Sequence, residues 1–273
     1  MYQIIVVTMN PEILATYEKI ADWGDMGLKM PVYLRTVSEA KAYLKAHKVD
    51  AISYRLDDSQ SDELHAFLDE SFPAMPIFHA SAREERLREV LREAKTILNR
   101  LHADFSEESY SEDEIMYMLR REFITALMEG KVQKPLEVRS RMKMLRCKAD
   151  IENSVFLVDM EIPAGDLFLS DRWRYGEERL EVALNNFFGR ESDNIIYYLS
   201  MPSAKTLRLL AMPRAEARNA DSSVTAVVSR HVNDSINKMR DMLELEVRVV
   251  GVEALPSLMS LATDGENSVK EDA

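Results

Sequence analysis

The chain has 273 residues, a formal net charge of −12 and 46% hydrophobic residues, long enough for two small domains and rich enough in apolar side chains for two cores. That acidity excludes a broad electrostatic footprint for nucleic acid or for an anionic membrane surface, both of which need clustered Lys and Arg. The single cysteine, Cys147, excludes an intramolecular disulfide, and with no apolar run of about eighteen residues and no signal-like start the expected compartment is the cytoplasm.

Ile4 to Val7 is short, apolar and rich in β-branched residues, which suits a strand buried on both faces. Asn10 can cap the helix that follows, Pro11 is tolerated at its first position, and Ile13, Leu14, Tyr17, Ile20 and Ala21 form its apolar stripe. Further along, Pro31 to Val37 reads as a second strand, Ser38 to Ala46 as a helix, Val49 to Leu56 as a third strand and Pro76 to Ala80 as a fourth. Ser81-Ala82-Arg83-Glu84 then has the form of a capping box for a helix through Leu87, Val90, Leu91 and Ala94. Ile97 to Leu101 fits either a short edge strand or the end of that helix.

Asp104 to Glu114 is an acidic stretch that reads as the boundary between two halves, and Ser111 to Glu114 is a second capping box. It opens a connector helix that carries Ile115, Met118, Leu119, Ile124, Leu127 and Met128 and ends at Gly130; its stripe suits either dimerisation or packing on the second half. Arg139 to Lys148 is the only basic cluster, expected to be the solvated face of an amphipathic helix. Beyond it the pattern is strand (Val155 to Ile162), helix (Tyr175 to Phe188), strand (Ile195 to Ser200), strand (Leu207 to Met212), long helix (Ser223 to Leu243) and strand (Leu245 to Gly251). This β-α-β-β-α-β order predicts helices layered on an antiparallel, ferredoxin-like sheet.

The opening, with Pro11, Asp22-Trp23 and Gly27-Leu28, resembles the receiver domains of bacterial two-component response regulators, most closely those joined to AraC-type DNA-binding domains. The resemblance implies a flavodoxin-like α/β receiver over 1–103, here with an eroded fifth βα unit. In that family an acidic pair holds Mg²⁺ and an Asp ending the third strand accepts a phosphoryl group. Here Thr8-Met9 replace the pair, Arg55 stands at the acceptor position, and the switch Lys is missing. Asp57 and Asp58 fall in the loop, too late for the acceptor role. Ser81 matches the residue that contacts the phosphoryl group, although the capping box explains it as well. Thr8, Met9, Arg55 and Ser81 are therefore expected to form a degenerate phospho-acceptor site.

Residues 104–134 would be acidic linker and connector helix. The segments Arg121 to Lys131 and Gly251 to Ala262 are similar to the flanks of the degenerate GGDEF-like α+β domain of the same regulators, which implies such a domain over 135–262, followed by a polar tail over 263–273. The nucleotide-admitting Gly-Gly-acid-Glu-Phe hairpin is replaced by Met201 to Thr206, and Asp159 remains as a relic or as the polar face of a strand. His79 and His231 are expected to be hydrogen-bonded structural residues.

The resemblance implies a non-enzymatic regulatory region that uses no cofactor or metal and acts in transcription control through phosphorylation-independent contacts. It would work as a homodimer or paired with a related regulator, away from membranes, and would reach DNA only through a helix-turn-helix part not present in this chain. The alternative is a freestanding interaction or scaffold protein that pairs with a related regulator; an enzyme with an unfamiliar site ranks third.

Overall fold

The computed structural model describes residues 1–102, 111–215 and 224–263. The protein is α/β and forms two compact units, Met1–Arg120 with Ser140–Cys147, and Arg121–Arg139 with the chain from Lys148 onward. The boundaries expected from composition divide the chain linearly, whereas these units interleave around residues 121–147. Most of the acidic stretch, 104–110, lies outside the described residues, as do Ser223 and the tail beyond 263.

In the first unit, strands β1 (Ile4–Thr8), β2 (Val32–Leu34), β3 (Ala51–Arg55) and β4 (Ile77–His79) make a parallel sheet in the order β2-β1-β3-β4. β1 is buried along its whole length, as its unbroken apolar run requires of a central strand covered on both faces. Ile5, Val7, Ile52, Tyr54 and Ile77 point into one core with helices α2 (Val37–Ala46) and α3 (Asp58–Ser71). Helix α1 (Pro11–Lys19) lies on the opposite face, where the Tyr17 hydroxyl meets the buried Ser53 hydroxyl at 2.5 Å. Asn10 caps α1 by accepting from the Glu12 and Ile13 N–H groups.

After β4 the chain enters α4 (Glu84–Leu101), which joins α1's side of the sheet: Arg88 pairs with Asp22, and the Thr16 hydroxyl donates to the Ala82 carbonyl at 3.0 Å. Ile97 to Leu101 is thus the end of a helix, and among the described residues the parallel sheet has no fifth strand. The connector is α5 (Glu112–Met128), opened by the Ser111 and Glu114 capping box and closed by a Schellman turn at Gly130, φ 71°, with Lys131 N–H on the Ala126 carbonyl. Helix α6 (Pro135–Met144) ends in the same turn geometry, but its left-handed position, φ 55°, is held by Arg146 instead of glycine.

The second unit contains an antiparallel sheet in the order β6-β7-β8-β5-β9, formed by β5 (Val155–Glu161), β6 (Glu191–Ser192), β7 (Ile195–Ser203), β8 (Thr206–Pro213) and β9 (Arg248–Leu255). A short helix α7 (Gly165–Leu167) continues into a π-helical turn at Phe168–Arg172 and is followed by α8 (Glu177–Phe188). The long helix α9 (Val224–Leu243) buries Val228, Val232 and Met239 beside α8, in one core with alternate residues of β5, β7 and β8. The last helix, α10 (Ser260–Thr263), follows β9.

Candidate functional site

The C-terminal edge of the parallel sheet gathers the residues picked out by sequence. Thr8 and Arg55 are register partners at the ends of β1 and β3. Thr8 is fully buried; its hydroxyl donates to the Arg55 carbonyl at 3.0 Å and accepts from the Asn10 N–H at 3.1 Å. One hydroxyl therefore ties two strand ends to the start of α1. Met9 is 69% exposed, and Arg55 is exposed at the strand end.

Ser81 follows β4 at the same edge, but the capping box expected there is not formed. Its hydroxyl accepts from the Arg83 N–H at 3.1 Å, a local turn, and α4 begins at Glu84 behind Arg83, which offers no side-chain cap. Asp57 lies at a helix start, not in an open loop: its carboxylate accepts from the Gln60 N–H at 2.8 Å and caps α3, of which Asp58 is the first residue.

Sequence reasoning missed the cluster beside these residues. Tyr54, buried next to Arg55 on β3, meets His65 Nε2 through its hydroxyl at 2.8 Å and packs against the His79 ring at 4.9 Å. Lys143 lies over the Tyr54 ring and places Nζ 2.8 Å from His79 Nε2. Arg146 is buried and pairs with Asp69 of α3, while Arg141 pairs with Glu93 of α4. Of the basic segment, Arg141, Lys143 and Arg146 are thus packed within the first unit, whereas Arg139 and Lys148 stay exposed as a solvated face would.

Burial, with Lys143 and Arg146 nearby, pulls the His65 pKa down to about 4; burial, with Lys143 and Arg55, does the same to His79, although part of its ring stays exposed. Burial also lowers Lys143 and raises Tyr54. His79 is neutral at physiological pH, so its Nε2 can accept from the Lys143 ammonium. Around this edge Arg55, Lys143 and Arg146 bring positive charge, and Asp57, Asp58, Asp62 and Asp69 of the α3 segment bring negative charge. Among the described residues no three His, Cys, Asp or Glu side chains are grouped to hold a metal ion.

In the second unit the Met201 to Thr206 segment is a tight hairpin. Ser203 pairs with Thr206, and the Lys205 carbonyl accepts from the Ile162 N–H at 2.8 Å. Gly165 lies beneath it, where an added Cβ would fall 1.8 Å from the Ala204 carbonyl oxygen. Asp159 pairs across the sheet with Arg208, 3.0 Å from its Nε. His231 stacks on Tyr197 and meets the Phe188 carbonyl at 2.7 Å, a structural arrangement. No helix among the described residues is long and apolar enough to cross a membrane. No model of a known protein family matches the chain, and no curated protein matches its sequence.

Proposed function

We propose that the chain is a non-catalytic regulatory region of the AraC-type response-regulator kind, with a pseudo-receiver, a degenerate GGDEF-like domain and an output made of protein contacts. The observation that carries this reading is the edge at Thr8 and Arg55, where the hydroxyl is spent on backbone bonds and a guanidinium stands at the end of the third strand. An Arg cannot form an acyl phosphate, and its charge opposes the Mg²⁺ that such chemistry requires.

The β2-β1-β3-β4 order is the flavodoxin-like order stopped before its fifth strand. In the second unit, β9-β5-β8-β7 is the 4-1-3-2 order of a ferredoxin-like β-α-β-β-α-β sheet, with a tight hairpin where a nucleotide would have to enter. In this reading the output is self-association, or pairing with a related regulator, in transcription control from the cytoplasm. Sedimentation equilibrium with and without Mg²⁺ and beryllofluoride tests it. The expected result is an association state that does not respond; a shift on adding the phosphoryl mimic contradicts the proposal.

A further inference from the structure

The opposite, N-terminal edge of the parallel sheet contains a cleft of about 240 Å³. Leu44, Val49, Phe72, Ala74 and Leu98 give it an apolar lining, and Lys48, Asp50 and Glu112 line it with charge. The C-cap residues of three helices, His47 of α2, Phe72 of α3 and His102 of α4, all line the cleft. Helix C-termini carry partial negative charge from their unpaired carbonyls, so three of them at one cavity favour a cation.

The side chains add to that field. Asp50 is set into the lining, where it accepts from the Gln3 N–H at 2.7 Å and lies 3.3 Å from His102 Nε2. Glu112, the first residue of α5, supplies a second carboxylate, against the single ammonium of Lys48. Apolar walls with two acids and three helix C-termini suit a ligand that is greasy at one end and positive at the other.

We propose that this cleft binds a small organic ammonium ion, a protonated amine on a compact aromatic or branched aliphatic body. The apolar body lies against Phe72, Ala74 and Leu98, and the ammonium group faces Asp50, Glu112 and the helix ends. This inference goes beyond the proposed regulatory role and does not depend on it, since binding is measured whether or not the edge at Arg55 is inert.

The probe is 2-phenylethylamine, titrated calorimetrically into the full chain beside 2-phenylethanol and 3-phenylpropanoate, which share the ring and differ in charge. The expected result is saturable amine binding with a Kd of about 1 mM or tighter, weaker binding of the alcohol and weakest of the acid. Ala74→Leu, which fills the cleft, abolishes binding while a thermal melt reports that the variant is folded. Should that variant unfold, Glu112→Gln carries the test: it weakens the amine about fivefold, the size of one exposed ion pair, and leaves the alcohol unchanged. No saturation with the amine, equal or tighter binding of the alcohol or acid, or amine affinity unaltered by a folded Ala74→Leu or by Glu112→Gln would overturn the proposal.

Discussion

Thr8 works as a fastener between two strand ends and the start of α1. Its buried hydroxyl makes two hydrogen bonds that a methyl cannot replace, so Thr8→Val, nearly isosteric, is expected to cost about 1–3 kcal/mol in urea unfolding of the first unit. Arg146 is a long side chain in the left-handed region, φ 55°, retained by its partly buried pairing with Asp69. Both Arg146→Ala and Arg146→Gly remove that pairing, but only glycine relieves the backbone, so the glycine variant is expected to be about 1 kcal/mol the more stable of the two by the same measurement. His65 and His79 titrate at about 4 when folded and near the ordinary histidine value when unfolded, so between these pH values the unfolded chain binds more protons. Their contribution to stability is therefore fully present above about pH 6.5 and is lost as pH falls toward about 4. His65→Gln, which can still bond the Tyr54 hydroxyl, is expected to flatten that slope; an unchanged slope would dismiss the histidine as its source.

At the level of elements, the sequence was legible where local chemistry sufficed. The β-branched run of β1, the Asn10-Pro11 start of α1, the Gly130 stop of α5 and the β-α-β-β-α-β order all depend on neighbours in the chain. Helix α3 was not legible, because it buries only Leu64 and Leu68 among polar residues and its cap, Asp57, reads equally well as loop. The Ser81 box failed because its hydroxyl found a closer partner, the Arg83 N–H, before the helix began. The cluster of Tyr54, His65, His79, Lys143 and Arg146 joins β3, α3, β4 and the end of α6, with Lys143 lying over the Tyr54 ring 89 positions away, a separation no spacing rule reports. Gly165 could not be recognised from sequence either, since its requirement comes from the approach of the 203–206 hairpin. Gly165→Ala is expected to displace that turn and to lower the melting temperature of the second unit, by about 2 kcal/mol or more of lost stability. A melt indistinguishable from the parent would show that the hairpin yields freely.

Across the whole molecule, two sheets of different construction are each tied by polar fasteners: Thr8 and Arg55 in the parallel sheet, the Ser203–Thr206 turn and the Asp159–Arg208 pair in the antiparallel one. The proposed consequence is a protein whose output is contact rather than turnover. Phosphotransfer tests this most directly: the chain is incubated with acetyl phosphate and Mg²⁺ and its intact mass is followed with time. The account predicts that the mass stays that of the unmodified chain; a phosphoryl adduct on an aspartate, removed by hydroxylamine, would contradict it.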